Sequence, residues 1–94
     1  MIRLIAEIEA KPGQEAALRA ALTALVAPTR AEVGCVAYDL HVEDAAPARF
    51  VFQEVWRDRG ALAAHGKTAH IAAFRAVAGD LSGGVAVRFL TLVE

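Results

Sequence analysis

Three pairs of residues in this sequence carry groups able to hold or move a proton: Glu54 with Trp56, His65 with His70, and Tyr38 with His41. Glu54 and Trp56 are two apart, so on a strand they share a face, together with Phe50 and Phe52. A carboxylate set among three aromatics must be hydrogen-bonded or have a raised pKa. The plainer alternative is an edge glutamate paired with Arg57 or Arg75. His65 falls where a short helix ends, and a histidine titrating near pH ~6.5 can take a proton from a phenolic hydroxyl. It can equally serve as a cation at a helix C-terminus, favourable by about 0.3–1 kcal/mol. Trp56 is either core filling or a platform for a flat ligand.

Other chemistries find less support. His65 and His70 lie five apart across Gly66, which misses the i, i+4 spacing of a helical metal pair, and no HExxH glutamate accompanies them. A three-histidine zinc site that adds His41, on the strand neighbouring Glu54 and Trp56, stays open as the metal alternative. The only serine, Ser82, stands in a glycine-rich stretch with nothing to suggest a nucleophile, and Gly83-Gly84 is no phosphate loop. One cysteine allows no intramolecular disulfide and no CxxC pair.

The elements that must position these groups follow from changes of hydrophobic period. Ile2, Leu4, Ala6 and Ile8 alternate with Arg3, Ile5, Glu7 and Glu9, a half-buried strand ended by Pro12-Gly13. Ala17, Leu18, Ala21, Leu22, Leu25 and Val26 then form a helical stripe running toward Glu32, which Pro28 should kink or end, with Gly34 just beyond. Period two returns, with Val36, Tyr38, Leu40 and Val42 on one face and Cys35, Ala37, Asp39 and His41 on the other. Residues Glu43 to Arg49 read as a loop, and Phe50 to Arg57 as the next strand. Asp58 can cap a short helix ending near His65, and Thr68 a second one carrying Ile71, Phe74 and Ala78. The segment Asp80 to Gly83 reads as a turn, and Val85 to Val93 as a last strand apolar on both faces.

The order β-α-β-β-α-α-β is the ferredoxin-like arrangement: an α+β fold with helices on one face of an antiparallel sheet. Residues 1–94 are expected to form one domain. The 56% hydrophobic fraction excludes disorder, but 22 of those residues are alanine, which buries little area. A thin core and an apolar second sheet face (Ile5, Val51, Val55) together suggest a homodimer. Net charge −1 offers no basic patch for nucleic acid. No stretch suits a signal peptide or a membrane span, so a cytoplasmic protein is expected.

The strings Pro12-Gly13-Gln14-Glu15, Pro28-Thr29-Arg30-Ala31-Glu32-Val33-Gly34-Cys35 and Phe50-Val51-Phe52-Gln53-Glu54-Val55-Trp56 carry a further signal. With Tyr38, Leu62, His65 and His70, they resemble the antibiotic biosynthesis monooxygenase family over nearly the whole chain. That resemblance implies a dimeric α/β barrel, two ferredoxin-like units sheet to sheet. It implies oxidation of a phenolic or quinol-type aromatic by molecular oxygen, with neither metal nor flavin. Relatives degrade haem, modify a signalling molecule or have no known activity, so a non-catalytic binding module and an isomerase are the rival expectations. The ExW motif matches Glu54 and Trp56, and the LxxH histidine matches His65. Asparagine, used in the haem-degrading branch and in some oxygenases, is absent from this chain. With that chemistry, His65 is expected as base or as the group stabilising the anion, Glu54 as its or the substrate's orienting group, and Trp56, Phe52 and Phe74 as the lining of the ring pocket. Tyr38 and His70 are further substrate-binding candidates; no cofactor or metal is expected.

Overall fold

A computed structural model describes residues 1–94. Four strands, β1 (Ile2–Ala10), β2 (Cys35–Glu43), β3 (Ala46–Trp56) and β4 (Ser82–Leu90), form one antiparallel sheet in the order β2-β3-β1-β4. The helices α1 (Glu15–Arg30), α2 (Arg59–His65) and α3 (Ala69–Leu81) complete the ferredoxin-like α+β fold. Side chains alternate across a strand, so Leu4, Ala6 and Ile8 of β1 and Phe50, Phe52, Glu54 and Trp56 of β3 all point the same way. Leu18, Leu22 and Leu25 of α1 and Ile71 of α3 are buried with them in the core. No helix is long and apolar enough to cross a membrane.

The structure moves several expected boundaries. Pro28 does not stop α1 at once; it sits in the last turn, and the helix continues to Arg30. The segment read as a loop is mostly strand, because Glu43 already pairs with Ala46 across a two-residue turn. Asp80 and Leu81 belong to α3, and β4 begins at Ser82 and stops at Leu90, short of Leu92 and Val93. Register also shifts between Cys35 and Ala37, where Val36 is the extra residue. Such a bulge reverses the alternation locally. Val36 is therefore exposed, and Cys35 turns inward against the core.

Two capping residues act as expected. Asp58 accepts from the Ala61 amide at 2.8 Å, and Thr68 accepts from the Ile71 amide at 3.4 Å. They start the two helices that carry His65 and His70. Cover is uneven across the helix side of the sheet. Val85, Val87 and Phe89 of β4 lie opposite Ile8, Ala6 and Leu4, yet Phe89 remains 66% exposed. On the outer face, Ile5, Val51 and Val55 are half-buried.

Gly34 fixes where α2 lies. Its φ is +85°, and a Cβ there would come within 2.5 Å of the Ala61 Cβ. Its carbonyl also accepts from the Arg57 amide at 2.8 Å. Gly34→Ala should cost roughly 2 kcal/mol or more, the left-handed backbone accounting for about 1–2 of it and the clash with α2 for the rest. Urea denaturation checks this; a variant as stable as wild type would contradict it.

Candidate active site

Glu54 stands at the centre of the sheet, opposite Leu4 on one side and Tyr38 on the other. It is 7% exposed, and the Trp56 indole Nε1 donates to its Oε1 at 3.0 Å. Neither expected arginine reaches it: Arg57 pairs with Asp58, and Arg75 donates to the Gly66 carbonyl. Burial pushes the Glu54 carboxyl above its ordinary pKa, against the opposing effects of the indole bond and of nearby His65. Burial, then the Glu54 charge, pushes the Tyr38 phenol up as well, so it stays protonated. Its ring stacks on Phe52 at 4.5 Å between centroids. Cys35 is also raised, mainly by burial, which disfavours a thiolate.

His65 ends α2 and is 8% exposed, its ring 4.7 Å from that of Trp56. Its Nδ1 lies 2.7 Å from Glu32 Oε2, and His70 Nε2 lies 2.8 Å from the same oxygen. The two helical histidines are therefore brought together, on a carboxylate that was not among the expected site residues. Two features could have pointed to Glu32. It is an acidic side chain just past the C-terminus of α1, where the helix dipole favours cations. It also lies in one of the strings that carry the family resemblance. His41 does not join the cluster; its Nδ1 contacts the Val51 carbonyl at an exposed position on β2.

Glu32, His65 and His70 are also the residues able to hold a metal, with donor atoms all within 4.8 Å of one another. Their two N···O separations of 2.7 and 2.8 Å are hydrogen-bond lengths. Donors arranged tetrahedrally about zinc at about 2.0–2.1 Å stand roughly 3.3 Å apart, so a metal would need the carboxylate to withdraw.

A cavity of about 480 Å³ opens between the sheet and α3. Its polar lining includes Tyr38, Glu54, His65 and Arg75; its apolar walls include Phe52, Leu62, Phe74 and Phe89. Trp56 is fully buried behind Glu54 and does not line it, nor do Glu32 and His70. The arrangement offers a largely apolar space of small-ligand size with one imidazole and one carboxyl of raised pKa at its wall.

Within this ferredoxin-like domain, an apolar cavity with an imidazole at its wall has the lining typical of small-molecule sites. The sequence model described as "Antibiotic biosynthesis monooxygenase" matches residues 1–77, and the chain belongs to that family. It is 41% identical over 80 residues to "Putative monooxygenase Rv0793" of Mycobacterium tuberculosis, spanning 85% of this chain and 78% of that one. It is 36% identical over 81 residues to "Putative monooxygenase YcnE" of Bacillus subtilis, spanning 86% and 85%. The crystal structure of PA3566 from Pseudomonas aeruginosa superposes with a TM-score of 0.95 at 41% identity, covering 99% of this chain and 94% of that one.

The Glu54 environment yields a pH test. A carboxyl whose folded pKa is raised favours the fold fully only below its unfolded pKa, and that contribution is lost as pH rises through the folded value. Glu54→Gln keeps an acceptor for the indole and removes the buried charge. The variant should therefore gain stability relative to wild type as pH rises from ~4 toward neutrality, the ordinary glutamate pKa being ~4.3. Thermal unfolding across that range measures the difference; one independent of pH would contradict the buried-charge account.

Proposed function

We propose that this protein is a monooxygenase that oxidises a phenolic or quinol-type aromatic with molecular oxygen, using no metal or flavin. The observation that carries the reading is His65: a buried imidazole lining an otherwise mostly apolar cavity of small-ligand size. Family membership supports the reaction class.

The chemistry needs little from the protein beyond a base, a dry space and room for oxygen. His65 takes the phenolic proton. The electron-rich phenolate passes one electron to triplet oxygen, and the phenoxyl radical and superoxide recombine at a ring carbon that bears hydrogen. His65 returns the proton to the peroxide oxygen. Loss of the ring C–H proton then breaks the O–O bond, releasing water and leaving a quinone carbonyl. Phenol plus O₂ thus gives quinone plus water, and the substrate supplies all four electrons, so no external reductant is required. Phe52 and Phe74 offer ring contacts, and Glu54, held by Trp56, offers a hydrogen bond to a substrate hydroxyl or carbonyl. Tyr38, kept protonated, is a further donor.

His65→Ala should lower oxygen-dependent turnover of a quinol by about 10²–10⁴-fold, the usual range for loss of a general base. Oxygen consumption over a panel of quinols and polyphenols, with a chelator present, tests both the activity and its independence of metal. Unchanged turnover in the variant would remove His65 from the chemistry. No wild-type turnover on any panel member would favour a non-catalytic binding module.

The assembly belongs to the same proposal. A second copy packed sheet to sheet would cover Ile5, Val51 and Val55 and form the dimeric barrel, with an interface above ~1,000 Å². Val55→Arg places an unpaired charge on that face and should give monomers or aggregates. Sedimentation at micromolar concentration decides; a monomeric wild type would contradict the barrel.

A further inference from the structure

We propose that Glu32 is the positioning residue of this site: it holds His65 with Nδ1 protonated, leaving Nε2 as the basic atom that faces the substrate. The inference rests on the reading of His65 as base and adds a residue to it.

Three observations lead there. First, Glu32 Oε2 meets His65 Nδ1 at 2.7 Å and His70 Nε2 at 2.8 Å. A carboxylate can only accept, so both nitrogens carry protons when Glu32 is ionised. Neutral His65 then has its proton on Nδ1 and a free lone pair on Nε2. Second, His65 Nε2 has no hydrogen-bond partner, yet the one unpartnered buried side-chain polar atom of the chain is Thr29 Oγ1. Nε2 is therefore accessible, and His65 is the member of the cluster that lines the cavity. Third, Glu32 is itself held. Its side chain is 12% exposed, and His70, from the next helix, anchors the same oxygen with a second hydrogen bond.

The consequence for the reaction is electrostatic as well as geometric. When His65 takes the phenolic proton at Nε2 it becomes an imidazolium, and Glu32 supplies the adjacent counter-charge on the side away from the substrate. No proton needs to pass to Glu32, whose part resembles that of the carboxylate in a Ser-His-Asp triad. His70 supports Glu32 and does not touch the substrate space.

Nitrogen-15 NMR of the histidine rings of the wild-type protein reads this without any turnover. At a pH where His65 is neutral, the expected spectrum has a protonated, hydrogen-bonded Nδ1 and an unprotonated Nε2. In Glu32→Leu, which removes the acceptor, His65 should shift toward the Nε2–H form that predominates in free imidazole side chains. Turnover should fall in that variant by between about 10-fold and the ~10⁴-fold seen on disabling a triad carboxylate, chiefly in kcat. Glu32→Asp should recover part of both the tautomer and the rate, which a purely structural role would not couple. A wild-type His65 protonated on Nε2 overturns the proposal, as does a metal ion on Nδ1 detected by loss of its proton with stoichiometric zinc. If Glu32→Leu fails to fold, the wild-type tautomer still decides. A protein that shows the expected tautomer but oxidises nothing would refute the monooxygenase reading and leave the Glu32–His65 arrangement intact.

Discussion

The alternation of β3, pinned on both sides by antiparallel neighbours, is the constraint on which the site depends. Phe50, Phe52, Glu54 and Trp56 face the helices because β1 and β2 each fix the same register, with Glu54 between Leu4 and Tyr38. A slip of one residue would exchange them for Val51, Gln53 and Val55. The aromatics hold that register by burial, and Glu54 is the polar group carried inside with them. Its desolvation is partly offset by a single directed bond, the Trp56 indole at 3.0 Å. The same tryptophan forms the surface against which His65 lies, so one residue orients the carboxyl and supports the imidazole.

Around that strand, the helices divide the labour. α1 buries a leucine stripe against the sheet and delivers Glu32 just beyond its end. Gly34 turns the chain tightly enough for α2 to lie against it, which sets the position of His65. β4 is the least covered strand, and its apolar side chains line the cavity from an exposed edge. The cavity is therefore closed by buried side chains on its Glu54–His65 side and open along β4.

Much of this was legible in the sequence, because it depends on period and on local chemistry. The strand faces of β1 and β3, the caps at Asp58 and Thr68 and the left-handed Gly34 all follow from neighbours within a few residues. The bulge at Val36 did not, because nothing in a run of alternating residues marks which one is extra. The reach of α1 past Pro28 did not either; a missing N–H in a final turn disturbs less than one in a helix interior. Glu32 was hidden for a third reason. It meets histidines 33 and 38 residues further on, and such a meeting exists only once α1, α2 and α3 have packed. Local pattern carries the scaffold, while the polar cluster is a property of tertiary structure.

The central functional claim is that the cavity ionises a phenol through His65. It is tested most directly by the absorption spectrum of a bound chromogenic nitrophenol, too electron-poor to be oxidised, at a pH where the free phenol is mostly neutral. The expected result is a phenolate band that grows as wild-type protein is added and fails to develop with His65→Ala at equal occupancy. A phenol that binds wild type and remains neutral, or that ionises equally well with His65→Ala, would contradict the claim.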